Sequence, residues 1–165
     1  MGTTKPMYDT QVICRERPLP SMAYLAIPYT GSLGKKCPQY RKELSFLMAN
    51  AVAAGLIESG ELVYSPISHS HPIHQHMVKF AHDHNFWMQY DDEMMEFCDR
   101  LYVVKVGDWE CSPGVKHEIK WFVRKQRPIF LLDIDERGDI SKEEFKLALL
   151  NGHVPPAAVE QLRLF

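Results

Sequence analysis

Short apolar runs and longer amphipathic stretches follow one another along the chain. Four runs have the length and composition of buried strands and are bounded by proline, glycine or charged residues: 22–27, 62–65, 100–106 and 127–133. Three stretches carry apolar residues at every third or fourth position and are predicted to be helices: about 38–59, 86–98 and 112–126. Residues 66–80 show too little periodicity for an assignment, and we expect a loop there.

This alternation of strands and helices predicts an α/β fold with a mainly parallel sheet covered by helices on both faces. We expect one Rossmann-like (flavodoxin-like) domain over residues 21–165, with about four or five strands. Residues 1–20 are predicted to be an N-terminal arm, because polar residues there are mixed with prolines. Ligands of such sheets bind beyond the carboxyl ends of the strands, which selects three stretches: 28–34, 65–76 and 107–118.

Composition narrows the range of partners. The chain has 165 residues, 45% of them hydrophobic, and a formal net charge of −2 without a basic stripe, which argues against polymeric nucleic acid. No apolar run is long enough to span a membrane, and residues 1–10 lack the apolar core of a signal peptide. The four cysteines form no CxxC pair, so we expect reduced thiols in a cytoplasmic protein and no cysteine-based zinc site.

The stretch DIDERGDISKEEF at 133–145 nearly fits the calcium-binding loop of an EF-hand. Its fifth position is Arg137, a cation where a calcium ligand belongs, and the segment before it is strand-like. We therefore favour a strand-to-helix loop in which Ser141 and Glu144 form a capping box.

Six histidines lie close together in the sequence: His69, His71, His74, His76, His82 and His84. Metal ligands on a helix are typically four residues apart with an acidic partner, whereas His69 and His71 are two apart and Pro72 follows. No Asp or Glu occurs in residues 62–82. We expect no metal and no cofactor, and a His-rich metal-binding protein remains the alternative.

Two acidic positions flank the third strand. Asp91 and Asp92 precede it, and Glu118 lies in the helix that follows it. Two carboxylates at one strand-end crevice can cleave a glycosidic bond, since one attacks or stabilises the anomeric carbon while the other handles a proton. Acidic residues on helices are more often solvated, so the spacing alone leaves this assignment open.

Four stretches in order resemble the nucleoside 2-deoxyribosyltransferase superfamily, which includes nucleoside 5′-monophosphate N-glycosidases. They are YLAIPYTG, VYSPISHSHPI, FWMQYDDEMMEFCDRLYVV and SPGVKHEIKWF, within residues 22–132. The likeness is greatest to the uncharacterised bacterial and phage branch of short proteins. It implies cleavage or transfer at an N-glycosidic bond, a small-molecule nucleotide or nucleoside as partner, and a homo-oligomer.

The resemblance also implies roles for individual residues. Asp91 and Asp99 reproduce an interval of the family, which places Asp91 beside the nucleobase, and Glu118 matches the nucleophile. Ser112 and Gly114 match the polar residue and glycine that precede it. A serine at that position is typical of the monophosphate hydrolases, where it binds phosphate, whereas the transferases commonly carry an aspartate.

The remaining candidates for substrate binding are Tyr24, Tyr29, Thr30, Ser32, His71, Trp87 and Asp108, of which Trp87 could face the base. Tyr24 or Tyr29 would orient Glu118, and His71 would contact the sugar or base. Packing in the core is the alternative for Tyr24 and Trp87. Hydrolysis and transfer both stay open, and a non-catalytic nucleotide-binding module is the second hypothesis.

Overall fold

The computed structural model describes residues 21–29 and 39–145 of the chain. The predicted arm at 1–20, the candidate residues Thr30 and Ser32, and the residues after 145 lie outside this described part. Within it, no helix is both long and apolar enough to cross a membrane.

Five strands form one sheet, and the predicted α/β class is confirmed. They are β1 (Met22–Ala26), β2 (Leu62–Tyr64), β3 (Arg100–Val104), β4 (Ile129–Ile134) and β5 (Ile140–Glu144). Their order across the sheet is β2-β1-β3-β4-β5, in which β5 alone is antiparallel to its neighbour. This is the order of a flavodoxin-like, doubly wound sheet with an added edge strand.

Four helices connect and cover the strands: α1 (Gln39–Glu58), α2 (Pro66–His74), α3 (His84–Glu96) and α4 (Pro113–Arg124). Successive side chains of a strand point to opposite faces, so β1 contributes to two cores. Ala23 and Leu25 pack with the apolar residues of α1, while Tyr24 and Ala26 pack with those of α4. The predicted covering of both faces is therefore confirmed.

The prediction of a loop after β2 was wrong, because residues 66–74 form helix α2. Its start has the features of a helix N-terminus: Ser65 caps it, accepting a hydrogen bond from the backbone N–H of Ser68, and Pro66 occupies the first turn. Ile67 and His71, four residues apart, are buried on the same side of the helix. Because the imidazole of His71 occupies a core-facing position where an apolar side chain is usual, the apolar periodicity of this stretch is weak.

The prediction of a capping box at Ser141 was also wrong, since residues 140–144 form an edge strand and not a helix. The carboxylate of Asp135 accepts hydrogen bonds from the backbone N–H groups of Arg137 (2.9 Å) and Asp139 (2.8 Å), which closes a tight turn. Gly138 has a φ of +87°, a conformation that L side chains rarely adopt. The turn reverses the chain, and β5 pairs with β4.

Candidate functional site

A cavity of about 460 Å³ opens where the strand order reverses between β1 and β3, beyond the carboxyl ends of these strands. The structure brings seven of the predicted site residues into its lining: Tyr29, His71, Trp87, Asp91, Ser112, Gly114 and Glu118. They come from the loop after β1 and from helices α2, α3 and α4.

Asp91 projects from α3 into this cavity. Burial and then the neighbouring charge of Asp92 raise the pKa of Asp91 to about 7. One of its carboxyl oxygens is buried without a hydrogen-bond partner in the described part of the chain. A carboxyl group in this state can hold a proton near neutral pH and release it to a ligand.

Glu118 lies on α4, is partly accessible to solvent and lines the same cavity. Burial raises the pKa of Glu118, and the negative charge of Asp91 raises it further, while the Tyr24 hydroxyl opposes this rise. The negative charge of either carboxylate therefore disfavours ionisation of the other.

Tyr24 is fully buried in β1, and its ring packs against Tyr64 (5.7 Å between ring centroids) and Phe122 (6.1 Å). Burial and then the charges of Glu118 and Asp91 raise the pKa of the Tyr24 phenol. The hydroxyl is therefore close to both carboxyl groups, although it makes no hydrogen bond of ordinary geometry with any described residue. Tyr24 thus packs in the core and presents its polar end to Glu118.

Ser112 caps helix α4 at the cavity wall. Its side chain is buried and accepts a hydrogen bond from the backbone N–H of Val115 at 3.5 Å. Both Ser112 and Gly114 line the cavity, so the N-terminal end of α4 faces the ligand space. The helix dipole favours negative charge at this end. Capping and anion binding are thus both available to Ser112.

The imidazole of His71 is 2% exposed and makes a 2.8 Å hydrogen bond with the hydroxyl of Tyr29. Of the other histidines, His74, His82 and His84 also line the cavity, and His82 and His84 are exposed to solvent. His69 instead contacts the hydroxyl of Tyr90 at 2.9 Å. Recognition of α2 in the sequence would have placed His71 and His74 on one side of a helix, since they are three residues apart.

An ion pair next to the carboxylates includes His117, a cavity-lining residue that the sequence did not single out. His117 and Asp92 are each adjacent in sequence to a predicted catalytic residue, and their side chains are 2.6 Å apart. This contact joins α3 to α4 and helps to hold Asp91 opposite Glu118. No local pattern signals it, because 25 residues separate the two partners.

Asp108 lies outside the lining of the large cavity. It borders a smaller pocket of about 190 Å³ with Arg41 and Ser45, and this pocket shares Ile27 and Tyr29 with the large cavity. The side chain of Asp108 is therefore next to the carboxylate site but is not in its lining.

Metal ligation has no support in the described residues, which contain no group of three or more His, Cys, Asp and Glu that could hold an ion. The histidines of the cavity wall contact one another and tyrosines instead: the rings of His71 and His74 are 5.6 Å apart, and those of His74 and His82 6.3 Å.

Comparison with known protein families gives a match to most of the described fold. The model of a family described as a domain of unknown function, DUF1937, matches residues 21–134, from the start of β1 through β4. No curated protein matches the chain. Since the family model covers more than half of the sequence and every wall of the cavity, the chain belongs to the DUF1937 family.

Proposed function

We propose that the protein cleaves the N-glycosidic bond of a nucleoside 5′-monophosphate or nucleoside in the cytoplasm. The observation that carries this proposal is the pair Asp91 and Glu118, two carboxyl groups with raised pKa values that line one cavity. Where one member of such a pair is protonated and the other ionised, the pair can supply a proton donor and a nucleophile. The resemblance to nucleoside 2-deoxyribosyltransferases supports the same chemistry.

In the proposed reaction, the carboxylate of Glu118 attacks C1′ of the sugar while the bond to the base breaks. Asp91, protonated near neutral pH, donates its proton to the departing base. The hydroxyl of Tyr24 lies close to Glu118 and steadies its charge before the attack. This first half of the reaction releases the base and leaves the sugar bound to Glu118 as a glycosyl ester.

The proposed substrate follows from the cavity walls. Ser112 at the N-terminal end of α4 and Lys42 on α1 offer partners for a phosphate, and both line the cavity. Trp87 offers an aromatic surface for a base, and its indole N–H donates a 3.1 Å hydrogen bond to the backbone oxygen of Ala81, which fixes the ring. These features favour a nucleoside monophosphate over a free nucleoside.

The test is a panel of ribonucleoside and deoxyribonucleoside monophosphates, with the matching nucleosides, analysed for free base by chromatography. We expect base release by the wild type and a loss of at least about a thousandfold in Glu118→Gln. Glu93→Gln, an exposed change on α3, serves as the matched control and should keep full activity.

The competing hypothesis is a non-catalytic nucleotide-binding module. It would be favoured if no substrate of the panel released base and Glu118→Gln bound the nucleotide as tightly as the wild type.

A homo-oligomer is part of the same proposal. Exposed apolar residues lie along α1, among them Tyr40, Leu44 and Leu47, which are 59–61% exposed in the described structure. An apolar helix face of this kind is typical of a surface that pairs with another subunit.

A further inference from the structure

His71 is held between a phenol and a carboxylate. On one side, its Nδ1 atom is 2.8 Å from the hydroxyl oxygen of Tyr29. On the other side, its Nε2 atom is 3.2 Å from a carboxyl oxygen of Glu43, an ion-pair distance without the alignment of a hydrogen bond. The three residues come from the loop after β1, from α2 and from α1.

The order of these partners sets the tautomer of a neutral ring. An ionised carboxylate only accepts hydrogen bonds, so the proton of the imidazole belongs on Nε2, where it faces Glu43. Nδ1 is then an acceptor, and the hydroxyl of Tyr29 donates to it.

Packing holds the ring in this orientation. The His71 ring stacks on Phe46 with 4.4 Å between centroids, and its backbone oxygen accepts a 2.5 Å contact from Nδ1 of His74. Two cations of the described part of the chain lie near Tyr29: Nζ of Lys42 is 5.6 Å from the centre of its ring, and Arg41 lines the smaller pocket together with it.

The chain of contacts connects the cavity to solvent. Tyr29 lines the cavity, His71 is buried, and the side chain of Glu43 is 47% exposed on α1. Gln39 donates a 3.1 Å hydrogen bond to the carboxyl oxygen of Glu43 that faces His71. The carboxylate of Glu43 is thus held beside the ring, where it can stabilise an imidazolium ion.

Tyr29 and Glu118 belong to opposite layers of the molecule. Tyr29 packs with the core beneath α1, whereas Glu118 lies on α4 on the other face of the sheet. Both line the same cavity. A sugar bound there would have the nucleophile on one side and the phenol on another.

We propose that Tyr29, His71 and Glu43 form a proton relay that serves as the general base for a water molecule. The inference rests on the proposed function, and it makes that reaction a hydrolysis. Water attacks C1′ of the glycosyl ester, the bond from C1′ to the Glu118 oxygen breaks, and Glu118 returns as a carboxylate. The proton of the water passes to the Tyr29 oxygen as the phenolic proton moves to Nδ1 of His71.

After this step the relay holds an imidazolium ion opposite the carboxylate of Glu43. The carboxylate of Glu43 stabilises this ion. Once the sugar has left, Tyr29 gives the proton that it took from the attacking water to solvent in the cavity and takes back the proton of Nδ1, which restores the resting tautomer. A hydroxyl, an imidazole and a carboxylate act together in the same order in catalytic triads. In this relay the hydroxyl activates the water molecule and not the nucleophile Glu118.

The first experiment separates the two halves of the reaction by rapid mixing of enzyme with the monophosphate that the wild type hydrolyses fastest. In Tyr29→Phe, we expect a burst of free base equal to the enzyme concentration, followed by turnover about a hundredfold slower. The glycosyl ester on Glu118 should accumulate and appear in the protein mass spectrum. The burst rate should fall far less than the steady rate.

Glu43→Gln should show the same pattern with a smaller loss of turnover, about tenfold. Glu58→Gln, an exposed change near the other end of α1, is the matched control and should behave as wild type. Equal losses in the burst and steady phases of Tyr29→Phe would overturn the relay, since a merely structural role slows both.

The second experiment needs no activity. Nitrogen-15 spectra of the imidazole groups, assigned with His71→Gln, should show a neutral His71 ring with the proton on Nε2. A proton on Nδ1 of the neutral ring would overturn the relay even if the enzyme is active. If the wild type releases no base from any substrate, the proposed function fails, and this spectrum still decides the geometry of the relay.

Discussion

At the scale of single residues, the main feature is a carboxyl group placed where ionisation is costly. Asp91 lies near two other acidic residues, Asp92 and Glu118, and one of its oxygens lacks a partner among the described residues. Natural proteins rarely keep such a group for stability, because ionised carboxylates are stabilised by water or by cations. An unfavourable environment at a cavity wall indicates a group kept for chemistry.

The pKa of Asp91 leads to a prediction about stability. It is about 7 in the folded protein against a reference of 3.8, so the folded state binds more protons between these values and the free energy of unfolding falls as pH rises through them. The substitution Asp91→Asn removes the titrating carboxyl group and with it this fall in the free energy of unfolding. We expect the variant to be more stable than wild type at pH 8, by a few kcal/mol and at most about 4.

Below a pH of about 4, where the carboxyl is protonated in both states, the variant and the wild type should have similar stability. Urea unfolding followed by circular dichroism across this pH range measures the difference. Glu93→Gln, on the exposed side of the same helix, is the control. A difference that stays constant with pH would contradict the raised pKa of Asp91.

At the scale of elements, a polar cluster attaches the edge strand β5 to the rest of the sheet. The carboxylate of Glu61, between α1 and β2, contacts Arg100 of β3 at 2.5 Å and also Lys142 of β5. Arg100 and Lys142 both donate to the hydroxyl of Tyr102, at 3.0 and 3.1 Å. Long side chains from two strands thereby meet on one phenol and one carboxylate.

The cluster predicts a pH-dependent loss of stability in Glu61→Gln. Burial raises the pKa of Glu61, but hydrogen bonds from Lys142, Arg100 and Tyr102 outweigh it and hold the pKa at about 2. The stabilisation is therefore present above the reference value of 4.5 and is lost as pH falls toward 2. Because the cluster is partly exposed, we expect a cost of about 1 kcal/mol at pH 7.

Chemical unfolding of Glu61→Gln at pH 7 and at pH 3 provides the measurement, with Glu136→Gln in the exposed turn before β5 as control. The difference between variant and wild type should be smaller at pH 3. An equal cost at both pH values would show that packing, and not charge, explains the effect.

At the scale of the whole molecule, helix layers on both faces of the sheet contribute to the cavity. Helix α1 in addition has apolar residues on its outer surface. Its exposed residues Tyr40, Leu44, Leu47, Ala51 and Ala54 follow one another at intervals of four and three. An average spacing of 3.5 residues is typical of the contact line between two paired helices, where small residues allow close approach. We call these five residues of α1 the seam.

We predict that this seam pairs with the same helix of a second copy. Leu47, 60% exposed, lies in its middle, so Leu47→Glu should convert an oligomer into a monomer while the helical circular dichroism signal is retained. Light scattering coupled to gel filtration measures the mass, and Glu58→Lys, beyond the seam, is the control. A monomeric wild type would refute the pairing.

Most of the fold followed from local patterns. The four parallel strands and helices α1, α3 and α4 were recognisable because each carries an apolar run or stripe that repeats with its own period, although part of the α1 stripe, Leu44 and Leu47, is exposed. Helix α2 and strand β5 were missed for a common reason. Their residues are mostly polar, so Ser65 and Pro66 were the main local sign of the helix, while β5 depends on pairing with β4.

The sequence by itself therefore determined the α/β class, the two acidic positions beside β3 and the serine that starts α4, since each depends on residues within a few positions of one another. Only the tertiary structure decided which side chains meet. Tyr29 and His71 are 42 residues apart in sequence, and His117 and Asp92 are 25 apart. Their contacts depend on how α1, α2, α3 and α4 pack around the sheet, and the local periodicity of the sequence does not predict that packing.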